Sequence, residues 1–147
     1  MIERTLSIIK PDAVKAGNSG LIIARLEKEG FKIIAQKRIK LSRKQVQLFY
    51  REHVQKPFFK DLTDYMVSGP IIVQVLEKEN AVVDYRTLIG ATDSREADEG
   101  TIRREFGTDK TANAVHGSDN IESANREIHF FFSDVEITNE EKDLGMF

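Results

Sequence analysis

The chain has 147 residues, a formal net charge of −2 and no cysteine. Hydrophobic residues make up 40% and charged residues 31%, so we expect one globular domain over residues 1–147 that buries its own core. The missing cysteine excludes disulfides, thiolate nucleophiles and cysteine-ligated metals, and the slight acidic excess argues against a nucleic-acid-binding surface.

The N-terminal third predicts a strand, a helix and a second strand. Residues 5–9 form an apolar run typical of a short buried strand. A turn at residues 17–20 opens a helix with three-to-four-residue apolar spacing, and Gly30 ends it because glycine enters the left-handed conformation cheaply. Residues 31–41 alternate as a strand does, with an interruption at Lys37.

The middle of the chain continues the alternation of helices and strands. Ser42 and Gln45 have the capping-box spacing that begins a helix. Residues 58–66 predict a shorter helix after Pro57. Residues 71–76 are almost continuously apolar, which indicates a strand buried on both faces. A further helix is predicted from about Ala81 to Gly90.

The C-terminal third begins with a stretch that has little periodicity. Residues 91–119 are small, polar or charged, and we expect a long functional loop there. A final helix follows, and the tail at residues 139–143 is expected to be solvated. The inner face of that helix is predicted to hold Ile121, Ala124, Ile128, Phe131 and Phe132. The pattern favours an α/β or α+β sandwich with helices covering one face of a sheet.

Few residues carry recognisable chemistry on composition and spacing alone. No Walker loop or HExxH metal motif is present. Of the three histidines, His53 and His129 lie in helical patterns and are expected to be structural. His116 lies in the weakly periodic stretch and is a candidate nucleophile or acid–base group. Isolated cations such as Lys10 are most simply surface charges.

The segment NAVHGSD at residues 113–119 resembles the active-site signature of nucleoside diphosphate kinases. Five more segments resemble that family in its order: IIKPDAV at 8–14, KPFF at 56–59, YMVSGP at 65–70, GAT at 90–92 and GTIR at 100–103. The resemblance extends from about Ile2 to Phe132. It implies an α+β fold, a ferredoxin-like βαββαβ sandwich in which helices cover a four-stranded antiparallel sheet.

The resemblance also implies a two-step exchange of the terminal phosphoryl group between nucleoside triphosphates, such as ATP, and nucleoside diphosphates. His116 is expected to form a phosphohistidine through one ring nitrogen. Glu127 is expected to hold the other ring nitrogen, and Ser118 to steady the Glu127 side chain. Fixing the tautomer in this way exposes the lone pair of the attacking nitrogen.

The other matching positions imply a nucleotide site. Lys10 is expected to contact the transferring phosphate, with support from the Tyr50 hydroxyl. The substrate-binding residues are expected to be Arg86, Thr92 and Arg103 on the phosphates, Asn113 on the sugar or bridging oxygen, and Phe58 stacked on the base. The expected cofactor is Mg²⁺, held mainly by the nucleotide phosphates rather than by a set of protein ligands.

Four positions depart from the family pattern. Lys110 stands where an aliphatic residue usually packs against the base, which affects base affinity or leaves the lysine in solvent. Ser94 and Glu99 stand where many members carry proline, so a looser loop is expected. Ala112 replaces a frequent arginine and removes a possible salt bridge.

The family resemblance further implies a homo-oligomer built from dimers, either a tetramer or a hexamer, with a slight preference for the hexamer. The apolar runs are too short to span a membrane and no secretion signal is evident, so a cytoplasmic location without nucleic-acid partners is expected. The alternatives are a regulatory nucleotide sensor, a nucleic-acid-binding module and a ligand-free structural oligomer. A sensor has no use for a His116–Glu127 pair, and none of the three alternatives accounts for all the matching positions.

Overall fold

The computed structural model describes residues 1–139, so most of the tail predicted to be solvated lies outside the described residues. The strands are β1 (Ile2–Ile9), β2 (Lys32–Ile39), β3 (Ile71–Glu79) and β4 (Val115–Gly117). The α-helices are α1 (Pro11–Lys15), α2 (Ser19–Lys28), α3 (Arg43–Phe49), α4 (Phe59–Met66), α5 (Ala81–Ile89), α6 (Ile102–Phe106) and α7 (Ile121–Phe131). Short 3-10 helices cover Arg51–His53, Ser94–Glu96 and Asp134–Glu136.

The four strands form one sheet in the order β2-β3-β1-β4, and each neighbouring pair is antiparallel. With helices in both crossovers and after β4, this is the predicted ferredoxin-like βαββαβ topology. The two long strands β1 and β3 lie in the centre and pair along their full length, from Ile2 with Glu79 to Ile9 with Ile72.

Helices cover both faces of the sheet, so the expectation of a single covered face is wrong. One core layer joins Leu6, Ile8 and Val73 to α3, α4 and α7. The other joins Ile9 and Ile72 to the helices on the opposite side, α1, α2, α5 and α6. The cause is visible in β3, whose first six residues are all buried, because a strand apolar on both faces requires a cover on each.

Most predicted elements are confirmed, with three differences. Lys37 does not interrupt β2, since it pairs with Val73; the irregularity lies between Ile33 and Ala35. The stretch 91–119 is not one long loop, because it contains α6 and β4. Ile121 was predicted on the inner face of α7 but is exposed, whereas Ala124, Ile128 and Phe131 of that face are buried.

Candidate functional site

His116 is placed by strand pairing rather than by a loop. It is the middle residue of β4 and lies opposite Ile8 of β1. Directly paired residues project from the same face of a sheet, and Ile8 packs in the core layer that includes Ile128 of α7. The imidazole therefore faces α7, which carries Glu127 one residue before Ile128.

His116 and Glu127 form a partly buried pair. His116 Nε2 donates a hydrogen bond to Glu127 Oε1 at 2.8 Å, and Ser118 Oγ donates to the same oxygen at 2.8 Å. Burial raises the pKa of Glu127, but its interactions with His116 and its hydrogen bond from Ser118 outweigh burial and leave that pKa below its usual value. An ionised carboxylate only accepts hydrogen bonds, so Nε2 carries the proton and Nδ1 keeps a free lone pair.

Ser118 links this pair to the central sheet. Its side chain is completely buried, and its Oγ accepts a hydrogen bond from the Leu6 backbone N–H at 3.2 Å while donating to Glu127. The hydroxyl therefore uses both its donor and an acceptor site, which holds the Glu127 carboxylate in a fixed position relative to β1. The predicted role of Ser118 in this relay agrees with that geometry.

A cavity of about 410 Å³ opens in front of His116. Seven of the ten residues predicted for the site line it: Lys10, Tyr50, Phe58, Thr92, Arg103, Asn113 and His116. Glu127 and Ser118 do not line the cavity; Glu127 bonds to the imidazole, and Ser118 bonds to Glu127. The structure thus brings together nine of the ten residues, from segments that range from Lys10 to Glu127 along the chain.

Lys10 is a buried cation at the inner end of the cavity. It is 6% exposed, and its Nζ donates to Asn113 Oδ1 at 2.7 Å. Burial lowers the pKa of Lys10 to about 7, the charge of Arg103 lowers it as well, and the charge of Asp12 raises it. A buried amine whose charge is incompletely compensated is well suited to bind an anion, which restores the missing counter-charge.

Arg103 is the second buried cation on the cavity wall. Its guanidinium donates to the carbonyl oxygens of Gly90 at 3.1 Å and Val115 at 3.0 Å, and burial lowers the pKa of Arg103. Its Nε is buried and has no hydrogen-bond partner within residues 1–139. Two desolvated cations on one wall, Lys10 and Arg103, strongly favour a polyanionic ligand.

Two aromatic residues complete the walls. The Tyr50 hydroxyl is buried and finds no partner in the described part of the chain, and burial raises the pKa of Tyr50, so the hydroxyl remains a neutral donor. Phe58 is 43% exposed on the cavity lining, whereas its neighbour Phe59 packs against the core. The expectation that Phe58 rather than Phe59 is available to a ligand is therefore consistent with their positions.

Arg86 is the predicted residue that the structure does not bring into the cavity lining. Its Nη1 instead donates to the carboxylate of Asp119 at 2.8 Å, in an exposed ion pair. Asp119 lines a small cleft on the α7 side of His116. The guanidinium is therefore held beside the site by a surface carboxylate.

His53 was not predicted as a site residue, yet it lines the cavity. Its ring lies 5.6 Å from that of Phe58 and 6.4 Å from that of Tyr50, and its Nδ1 is buried with no partner in residues 1–139. The sequence could have indicated this, because His53 follows Tyr50 by three residues and the helical pattern places both on one face. Lys110 also lines the cavity and is exposed at its rim, with its backbone carbonyl accepting from Asn113.

A divalent cation at this site would be held mainly by oxygens of a bound phosphate, with the Asp119 carboxylate as a nearby protein oxygen. No group of three or more histidine, aspartate or glutamate side chains within residues 1–139 is arranged to hold a metal ion. The buried charges of the cavity wall are the cations Lys10 and Arg103, and the nearby carboxylate of Asp119 borders the cleft at His116. Magnesium commonly retains water and phosphate ligands, which requires few protein oxygens.

Comparison with known proteins identifies relatives over most of the chain. Residues 3–137 match the family model of nucleoside diphosphate kinase. The chain is 56% identical to the nucleoside diphosphate kinase of Campylobacter lari over 136 residues, which cover 92% of this chain and 99% of the relative. It is 55% identical to that of Wolbachia pipientis from Culex pipiens over 136 residues, covering 92% of this chain and 98% of the relative.

Solved structures show the same similarity. The Aquifex aeolicus nucleoside diphosphate kinase superposes with a TM-score of 0.92 at 46% identity, covering 94% of this chain and 100% of the other. A halophilic nucleoside diphosphate kinase from Halobacterium salinarum, solved in complex with CDP, has a TM-score of 0.92 at 39% identity, covering 97% of this chain and 95% of the other. No helix in residues 1–139 is long and apolar enough to cross a membrane.

Proposed function

The chain belongs to the nucleoside diphosphate kinase family, and we propose that it carries the transferred phosphoryl group on Nδ1 of His116. It is a phosphotransferase whose substrates are nucleotides. The observation that carries the proposal is the hydrogen bond from His116 Nε2 to Glu127. That bond leaves Nδ1 as the ring nitrogen with a free lone pair, and the imidazole lines the cation-walled cavity.

The two half-reactions balance without an external base. In the first, the Nδ1 lone pair forms a bond to the terminal phosphorus of a nucleoside triphosphate, and the bond to the bridging oxygen breaks, so the diphosphate leaves with that electron pair. In the second, a terminal oxygen of another diphosphate attacks the phosphorus and the N–P bond breaks. The Nε2 proton stays on the ring throughout, and the Glu127 carboxylate compensates the positive charge that phosphorylation creates.

The wall residues act by positioning and by neutralising charge. Lys10 and Arg103 are desolvated cations that would bind the terminal phosphates, and the Tyr50 hydroxyl would donate to an oxygen of the transferred group. Arg86 would join them by leaving Asp119. Thr92 and Asn113 would contact the remaining phosphate and sugar oxygens, although Asn113 also holds Lys10 in place. The family uses a divalent cation, and we propose Mg²⁺, which would neutralise phosphate charge.

Stacking on Phe58 would allow a broad choice of nucleoside. The Phe58 ring stands exposed on the cavity lining, and aromatic stacking tolerates every base because every base has a π-face. We extend the CDP binding of the Halobacterium salinarum relative to this chain, so that ATP serves as donor and several diphosphates as acceptors.

We propose three further properties of the protein. We infer that all 147 residues form one domain, of which residues 3–137 match the family model. We propose a homo-oligomer built from dimers, either a hexamer or a tetramer, and light scattering on the purified protein would separate the two by mass. A cytoplasmic location is predicted from the sequence, and cell fractionation would test it.

The deciding experiment is to incubate the protein with ATP and Mg²⁺ in the absence of any acceptor. Intact mass should show one added phosphoryl group that is labile in acid and disappears when a nucleoside diphosphate is added. Phosphorus NMR of the denatured protein at alkaline pH should identify the Nδ1 isomer of phosphohistidine.

The matched control is the same substitution at a second histidine, His129. His116→Ala should accept no phosphoryl group, whereas His129→Ala should behave as the unchanged protein, because His129 is an exposed residue of α7 with its ring bonded to Asn125. Detection of the Nε2 isomer of phosphohistidine would contradict the tautomer argument. Full phosphorylation of the His116→Ala protein would place the intermediate on another residue.

A further inference from the structure

The backbone turn next to His116 is strained. Ala114 has φ 72°, and the Val115 N–H donates to the Asn113 carbonyl at 2.9 Å, which closes a three-residue γ-turn around Ala114. Alanine rarely adopts this conformation, so the surrounding structure must hold it there. The turn connects Asn113, the partner of Lys10, to the strand that carries His116.

The segment that follows β1 holds this turn from both sides. The Lys10 N–H donates to the Ala114 carbonyl at 2.8 Å. The Ala114 N–H in turn donates to Asp12 Oδ2 at 3.1 Å, across 102 residues of sequence. Both polar groups of Ala114 are thus bound by residues of one short segment, and only the Asp12 bond uses a side chain that can be removed without deleting a backbone group.

Asp12 is itself held in place and is charged. Its other oxygen, Oδ1, accepts a hydrogen bond from the Tyr65 hydroxyl, and its own N–H donates weakly to that hydroxyl at 3.4 Å. The charged groups that act on Lys10 are Arg103 on α6 and Asp12 on α1, and only Asp12 has the opposite sign. His116 and Tyr50 line the same cavity from β4 and the end of α3, and Lys110 lies at its rim.

We propose that Asp12 is a positioning residue for phosphoryl transfer, which holds the strained Ala114 turn between Asn113 and the strand of His116. Its negative charge also raises the pKa of Lys10, which burial and Arg103 lower. This rests on the proposed roles of His116 and Lys10. Asp12 does not line the cavity, so it acts through those two groups. One side chain thereby couples the position of the nucleophile to the charge of the cation opposite it.

Two substitutions separate the two effects. Asp12→Asn keeps an oxygen that can accept from the Ala114 N–H but removes the charge. In this variant the alkaline fall of kcat/KM, which reports the free enzyme, should move to lower pH, while kcat at the acid end stays within about threefold of the unchanged protein. Asp12→Ala removes both, and kcat should fall roughly 10- to 100-fold over the whole range, because the turn relaxes and displaces His116.

A rescue variant tests the role of strain. Glycine adopts positive φ readily, so Ala114→Gly in the Asp12→Ala protein should recover most of the lost kcat without restoring the alkaline limb. Tyr65→Phe is the matched control, because it removes the neighbouring hydrogen bond to Asp12 but leaves the carboxylate and its charge. The alkaline fall of kcat/KM of this variant should stay at the same pH as in the unchanged protein.

Several outcomes would overturn the proposal. An Asp12→Asn protein with an unmoved alkaline limb would remove the charge role, and a failure of Ala114→Gly to rescue kcat would remove the turn role. Thermal melts would identify any variant that fails to fold, in which case Asp12→Asn alone decides the charge role. Phosphorylation of the unchanged protein at His116 is measured in parallel; its absence would reject the proposed function, whereas its presence with inert Asp12 variants would reject only this inference.

Discussion

The Glu127→Gln substitution tests the central hydrogen bond of the site. Glu127 Oε1 accepts from both His116 Nε2 and Ser118 Oγ at 2.8 Å, and its side chain is only 12% exposed, so water screens the charge weakly. A glutamine keeps the size and one acceptor oxygen but loses the negative charge. Its amide can also turn and donate to Nε2, which would place the ring proton on Nδ1 and block attack.

The magnitude follows from the loss of a charged hydrogen bond. Hydrogen bonds to charged groups contribute about 1.5–3 kcal/mol. Because Glu127 compensates charge that appears on His116 only during transfer, losing this bond raises the activation free energy of phosphoryl transfer. At about 1.4 kcal/mol for each factor of ten, the phosphorylation rate should fall roughly 10- to 150-fold. Ser118→Ala, which removes a neutral donor, should cost less, about fivefold.

The assay is a single turnover with excess enzyme and labelled ATP, stopped by rapid mixing and followed as protein-bound phosphate. The matched control is Glu122→Gln, which makes the same chemical change at an exposed position of the same helix and should leave the rate unchanged. A Glu127→Gln rate within about threefold of the unchanged protein would refute the argument, because a neutral amide would then serve as well as the carboxylate.

Three other changes test the buried polar groups individually. Lys10→Met should abolish transfer yet raise the free energy of unfolding below pH 7 by up to about 5 kcal/mol, because the folded pKa of Lys10 lies at about 7, under its usual 10.5. Between those two pH values the unfolded chain binds more protons, so the unchanged protein gains stability as the pH rises. Urea titrations should therefore show that the advantage of methionine shrinks at higher pH. Tyr50→Phe should not lower the thermal midpoint, because its hydroxyl has no partner in residues 1–139 to lose; a destabilised protein would show that a partner exists. Its kcat should fall roughly 3- to 10-fold in steady-state assays. Ser94→Ala should raise stability by about 1 kcal/mol without changing activity, since the Ser94 hydroxyl is buried and unpaired in the described residues, and calorimetry showing a lower midpoint would contradict this.

Local patterns in the sequence predicted most elements correctly because they depend on neighbouring residues. The Ser42–Gln45 capping box is present as expected, with both reciprocal hydrogen bonds formed. Gly30 and Gly90 end their helices with positive φ, as glycine allows. The largest error falls in residues 91–119, where β4 has only three residues and no periodicity can show in so short a strand.

The sequence alone determined the family, through six motifs in the correct order, and with it the identity of the candidate nucleophile, His116. It also determined which segments could be buried, since the apolar run of β3 already required two covered faces.

The tertiary structure decided which atoms meet. The pairing of β4 with β1 turns His116 toward Glu127, the bond to Nε2 selects Nδ1, and Asp12 reaches Ala114 across 102 residues. Arg86 pairs with Asp119 and does not line the cavity, although it was predicted as a phosphate-binding residue. Such contacts join residues far apart in sequence, and no local pattern encodes them, because hydrogen bonding and desolvation depend on the whole packed chain.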